Sequence, residues 1–351
     1  MRAGREAGGL NLVWKVVLIV LPVIAAVAAL GIGRYQIAPA EVWNAVIGKY
    51  SGRYHVSEMT VKTIWNLRIP RILLALLAGA GLSGAGCAFQ SLFSNPLATP
   101  DTLGVASGAS FGAVMGILLG FDMLGIQSLS FLMGILAVML TWLGGSGKGK
   151  SLSSVILSGI MIGSLFNALV SFVKYVADEE SQLPAITYWL MGGLNQAGYH
   201  NLLFGAPIII SGILILFFIR WRMNLLPLSE DEVKSMGVNM TVLRVVTVIC
   251  ATAITASCVS MCGQVGWVGL LIPHICRMKF GSNQLALFPA SVSLGAVFMV
   301  IADTVARTMT ASEIPVSILT AIIGAPFFII LMRKSGGWQL SLIHISEPTR
   351  H

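Results

Sequence analysis

The sequence predicts an all-α polytopic membrane protein of about ten transmembrane helices, and three observations predict it. Of 351 residues, 56% are hydrophobic and only 10% charged, with a mean hydropathy of +0.85; an ordinary soluble domain carries about 25% charged residues. Apolar runs recur at about 20 residues, the length that crosses hydrocarbon as a helix. The connections between them differ in basic content from one side to the other, as expected of helices threaded back and forth.

The elements follow in order. The first run, residues 16–33, holds 18 uncharged residues. It exceeds the apolar core of a signal peptide, about 7–15 residues, and no small-residue cleavage site follows it, so it reads as a retained span. Further runs at 72–93, 102–121, 123–147, 151–173, 201–219, 245–263, 285–302 and 314–332 are of spanning length. The stretch 264–276 is shorter and holds Pro273 and His274; it must cross if the charges are to balance, which makes ten spans. The runs 102–121 and 123–147 meet around Asp122, which suits an antiparallel helical hairpin. With the N-terminus inside, the inner segments hold fourteen basic and six acidic residues and the outer ones eight of each, so the net +8 of the chain falls on one side. Both termini are then cytoplasmic, and the excess charge is topological, with no nucleic-acid footprint. The outer loop 34–71 goes against this trend, carrying six of the eight outer basic residues.

One motif points elsewhere. The stretch "GGSGKGKS", Gly144 to Ser151, fits the phosphate-loop pattern G-x-x-x-x-G-K-[ST]. That loop needs a strand before it and a helix N-terminus after it, so that backbone N–H groups face the anion. Here "FLMGILAVMLTWL" precedes it and another apolar span follows, so the match is an inner loop with Lys148 and Lys150 as topology anchors. The five cysteines all lie in or beside apolar runs, and Cys258 and Cys262 read as small packing residues. The histidines are scattered, and no catalytic or metal-ligating constellation emerges. His274 beside Pro273 reads as structural.

Polar segments carry the functional signals. Within "LSEDEVKSMGV", Ser229 is placed as an N-cap and Glu232 three positions into the helix completes a capping box. Glu230, Asp231 and Glu232 suit the first turn, and Gly237 suits the left-handed residue that ends it. The segment 229–237 is either a solvated connector or a foot on which something docks. On the outer side, Arg68 and Arg71 in "WNLRIPR" are spaced i, i+3, and Arg307 lies four residues after Asp303. These arginines are either interfacial anchors or a patch for carboxylates. Helix-breaking residues cluster in "SNPLATPDTLG" and "GQVGWVGLLIPH", marking Asn95, Pro96, Pro100, Gly266 and Pro273 as candidates along a pathway, where interrupted backbone is tolerated. Arg71 to Pro100 and Arg244 to Pro273 are both 29 residues apart, a faint sign of an inverted repeat of spans two to five in spans seven to ten.

From Trp65 to Arg333 the chain resembles the permease subunits of ABC importers for iron–siderophore, haem and cobalamin, the ten-helix type II importer fold. The blocks "LRIPR", "NPLATPDTLG", "YWLMGG", "LSEDEVKSMGV", "GWVGLLIPHICR", "ADTVAR" and "GAPFFI" carry the resemblance in the family's order. It implies a single permease domain, residues 1–339, in the bacterial cytoplasmic (inner) membrane. It implies that Arg68, Arg71 and Arg307 receive glutamates of an extracytoplasmic substrate-binding protein. It implies that Ser229 to Gly237 is a coupling helix seated in an ATP-binding cassette subunit, and that a second permease copy completes a homodimeric pathway. ATP-Mg would sit on two partner ATPases, with no cofactor on this chain. Ser94 stands where the family often has Arg, and "NQLALFP" replaces its usual His-Arg. The tail 340–351, "LSLIHISEPTRH", is unlike the family's ending and is set aside. A gradient-driven carrier is the alternative; it calls for ionisable groups at mid-membrane, whereas Asp101, Asp122 and Asp303 fall near span ends.

Overall fold

The computed structural model describes residues 9–51, 56–145, 152–310 and 312–334. Within them the chain forms fourteen α-helices: α1 (Leu12–Gly31), α2 (Pro39–Ser51), α3 (Glu58–Lys62), α4 (Ile69–Leu92), α5 (Val105–Leu118), α6 (Met123–Gly145), α7 (Leu152–Val176), α8 (Gln182–Leu190), α9 (Tyr199–Met223), α10 (Glu230–Ser235), α11 (Met240–Cys262), α12 (Val268–Phe280), α13 (Gln284–Met309) and α14 (Val316–Lys334). The ten expected spans are α1, α4 to α7, α9 and α11 to α14, and the chain is a multi-pass membrane protein. Among the described residues seven helical stretches are long and apolar enough to cross a membrane unaided, and α5 and α14 contribute shorter apolar segments. Sequence reasoning missed α2, α3 and α8, which lie between spans.

Three helices form the centre. The apolar windows of α4, α11 and α13 are 83%, 78% and 67% buried, against 11% for α1, whose apolar flank is left for lipid. α4 and α13 run antiparallel and touch at Gly79 and Gly295, where a Cβ on either would overlap the other's carbonyl oxygen. Such contact through small residues substitutes for the hydrophobic effect, which does not draw helices together in lipid. Side chains tie the same seam: Ser83 Oγ donates to the Ser291 carbonyl at 2.8 Å, and Cys87 Sγ to Gln284 Oε1 at 3.2 Å. All five cysteines are buried free thiols. The first helix packs outside this seam, with Ser293 Oγ bonded to the Leu18 carbonyl and Trp14 edge-on to Phe280.

The seam fixes two opposite ends of the bundle. At one end Arg71 of α4 meets Asp303 of α13. At the other, Asn224 receives a bond from the backbone of Gln284, at the start of α13, five residues before Ser229. α10 therefore lies at the far end from the arginines.

The two halves share a pattern. α4 and α11 are long and central, and each is followed by a break and then a short helix of 14 or 13 residues, α5 or α12. At 1.5 Å per residue each short helix spans about 20 Å, well below a hydrocarbon core of about 30 Å. The breaks therefore lie within the bundle. Ser94 and Gly104 in the first, and Gly263 and Trp267 in the second, have left-handed backbone. The phosphate-loop match fails on its flanks: α6 runs helically to Gly145 and α7 begins at Leu152. Residues 146–151, with Lys148 and Lys150, lie outside the described residues, as does the tail 340–351.

Candidate functional site

The arginine end is built by a wide turn. Pro70 has no N–H to return to the carbonyl four residues back, so residues Thr63–Arg68 wind as a π-helical turn before α4 begins. Arg68 closes that turn, and Arg71 follows one turn later on the same face. α13 delivers Asp303 and Arg307 to the same place, i, i+4 apart.

The structure brings Arg68, Arg71 and Arg307 together and gives each of them partners. Arg71 Nε donates to Asp303 Oδ1 at 2.9 Å, its NH2 lies 2.8 Å from the same oxygen, and its NH1 reaches Glu313 Oε2 at 2.8 Å. Arg68 is 5% exposed and donates to the carbonyls of Leu30 and Tyr35. Arg307 is 7% exposed and donates to the Ala29 carbonyl at 2.5 Å, with Asp303 Oδ2 3.9 Å from its Nε. Snorkelling anchors would extend into water; these guanidinium groups instead hold the chain leaving α1 against α4 and α13. They border a cavity of about 550 Å³ lined also by Arg34, Tyr35, Tyr188, Asn195 and Glu313. Among the described residues four arginines and one carboxylate, Glu313, line it, with Asp303 buried behind Arg71, so the wall is basic and fits acidic groups. Arg34, Asp303 and Glu313 were not read from sequence as members of this site; the i+4 spacing of Asp303 and Arg307 was the available signal for one of them.

A second cavity, also about 550 Å³, lies between the two helix breaks. Thr99, Pro100 and Asp101 line it from one break, Gln264 to Trp267 from the other, and Ser317, Ile318 and Ala321 from α14. Of the pathway candidates, Pro100 and Gly266 stand on its wall. Asn95 and Pro96 are exposed in the turn after α4, and Pro273 is buried inside α12, so these three lie away from it. Asp101 is its lining carboxylate, near the end of a span in sequence but on a cavity wall in space.

At the opposite end α10 has the expected form. Ser229 N donates to Glu232 Oε2 at 3.0 Å and Glu232 N to Ser229 Oγ at 3.4 Å, a complete capping box. The two bonds from Ser229, backbone first, hold the Glu232 carboxyl below its ordinary range. Gly237, at φ +73°, ends the helix: its N–H bonds the Lys234 carbonyl and that of Val238 the Val233 carbonyl. Val233 is fully buried and Glu230 is paired with Arg244 at 2.7 Å. Asp231, Glu232 and Met236 face outward from that anchor.

A bundle with broken central helices, a basic cavity at one end and a capped acidic foot at the other defines a membrane transport permease. The chain belongs to the FecCD transport family, which residues 19–334 match. It is 39% identical to the molybdate import permease MolB of Haemophilus influenzae, over 90% of this chain and 94% of that one. It is 37% identical to an iron chelatin transport permease of Helicobacter pylori, over 90% and 96%. A solved structure described as an inward-facing metal-chelate-type ABC transporter superposes with a TM-score of 0.82 at 39% identity, covering 91% of this chain and 99% of the other. The family is that of ABC importer permeases, which sets the gradient-driven alternative aside.

Proposed function

We propose that this chain is one half of a homodimeric pathway in the bacterial inner membrane through which a metal chelate of the iron–siderophore, haem or cobalamin type enters the cell. Both termini and α10 face the cytoplasm. Residues 1–339 act as a single permease domain. A substrate-binding protein docks carboxylates in the cavity that Arg68, Arg71 and Arg307 border, and Ser229 to Gly237 seats in an ATP-binding cassette subunit. Two such subunits hydrolyse ATP-Mg; this chain supplies conformational change and no covalent chemistry. Pro100 and Gly266 mark the helix breaks at which the pathway reshapes, and the cavity between them supports that assignment. Its wall of Thr, Ser, Asn, Gln and apolar side chains, with Asp101 as its one carboxylate among the described residues, suits bulky cargo held loosely, with selection left to the binding protein.

The observation that carries the reading is the placement of the basic cavity and the capped foot at opposite ends of one antiparallel seam. The test is uptake of a radiolabelled ferric siderophore into proteoliposomes holding the permease, with its cognate ATPase and binding protein. Uptake should require all three components and ATP. Transport by the permease without the ATPase overturns the proposal.

A further inference from the structure

Arg71 is held by two acids of different kinds. Asp303 is 2% exposed, buried at the arginine end of the seam, and grips Nε and NH2. Glu313 is 33% exposed, stands on the cavity wall and takes only NH1. The first partner is interior and permanent. The second makes a single bond that any carboxylate entering the cavity can replace without a change in charge.

Glu313 also occupies an unfavourable backbone. Its φ is 52°, a left-handed conformation that a side chain other than glycine or asparagine seldom adopts and that surrounding contacts must hold in place. Its bond to Arg71 is one such contact, and the neighbouring Ile314 N–H is tied to the Ala306 carbonyl at 3.2 Å. Three residues beyond Glu313, α14 begins, and its first turns carry Ser317, Ile318 and Ala321 into the second cavity. Further along α14, Gly324 abuts the ring of Trp267, itself at φ 70° in the facing break. The carboxylate on the docking cavity and the wall of the pathway cavity are thus parts of one short segment.

We propose that Glu313 is an in-chain stand-in for the docking carboxylate: it occupies Arg71 in the free permease, and an acidic side chain of the substrate-binding protein displaces it and releases the start of α14. The inference rests on the docking reading above. Arrival of the binding protein is thereby conveyed to the pathway wall through loss of one ion pair and relaxation of one strained residue.

The experiment measures affinity of the cognate substrate-binding protein for nanodisc-held transporter at low ionic strength, with Glu313→Gln, Arg71→Gln and the double variant. Glu313→Gln removes the internal competitor and should tighten docking about five- to tenfold. Arg71→Gln should weaken docking, and Glu313→Gln added to it should change nothing further, a non-additivity expected only if the two share one interaction. Hydrogen exchange of the amides of 312–318 should quicken on docking in the native chain and already be fast in Glu313→Gln. If Arg71→Gln weakens docking while Glu313→Gln leaves it unchanged or weaker, the stand-in is refuted and docking stands. If neither Arg71→Gln nor reversal of the exposed Arg34 to Glu alters affinity, docking at this cavity is refuted and the stand-in with it.

Discussion

At the scale of residues, the arginine cluster separates two roles that sequence spacing runs together. Arg68 and Arg307 hold the backbone of residues 29–35 by charged donors on carbonyls, and Arg71 carries the ion pairs. The cost of removing a partner depends on whether water can replace it. Asp303→Ala leaves Arg71 and Arg307 facing a buried gap and should destabilise the fold by about 3–5 kcal/mol. Glu313→Ala leaves a position already one-third open to solvent and should cost about 1 kcal/mol or less. Thermal unfolding of the detergent-solubilised variants should therefore show a large drop for the first and a small one for the second. Equal drops would mean that Glu313 is as structural as Asp303. The grouping of Arg68, Arg71 and Arg307 was legible because two of them share a helical face and the third ends a span on the same side. Their burial was not legible. It depends on the chain after α1 folding over them, a contact some thirty residues away in one case and nearly three hundred in the other, which no local pattern encodes.

Among elements, legibility followed the solvent. Nine of the ten spans were readable because an unbroken helix needs about twenty apolar residues to cross lipid, and the short α12 was readable only from the balance of charge between the two sides. α2, α3 and α8 were missed because between spans neither hydropathy nor length is constrained. α10 is the exception, since its ends are written in side chains: Ser229 and Glu232 at the start, Gly237 at the finish. Those caps give a prediction. Ser229→Ala with Glu232→Ala removes the capping box, and Gly237→Pro forces φ near −65° where the chain needs +73°. Both variants should assemble as the parent does yet lose most of the ATPase stimulation that accompanies docking of the binding protein, read as phosphate release in nanodiscs. Stimulation at the parent level would detach α10 from coupling. The Glu232 bond has a definite pH sense as well. Its folded carboxyl titrates below the ordinary value, so the contribution is complete at neutral pH and is lost only as pH falls through that lowered value.

For the whole molecule, the physical question is which way the bundle faces. The basic residues favour the α10 end as cytoplasmic, and the outer loop 34–71 is the segment that argues against it. The structure explains part of that conflict: Arg68 is buried against carbonyls and Arg71 is paired with carboxylates, so they are not free charges for the membrane to sort. Discounting them strengthens the asymmetry. The native cysteines are all buried, so a single introduced cysteine reports accessibility over a quiet background. Glu179, between α7 and α8, and Asp231, on α10, are both exposed and lie at opposite ends. In intact spheroplasts a membrane-impermeant maleimide should label Glu179→Cys at once and Asp231→Cys only after permeabilisation. The reverse pattern would turn the molecule over, placing the acidic foot where no ATPase can reach it and the arginine cavity on the side away from any extracytoplasmic partner.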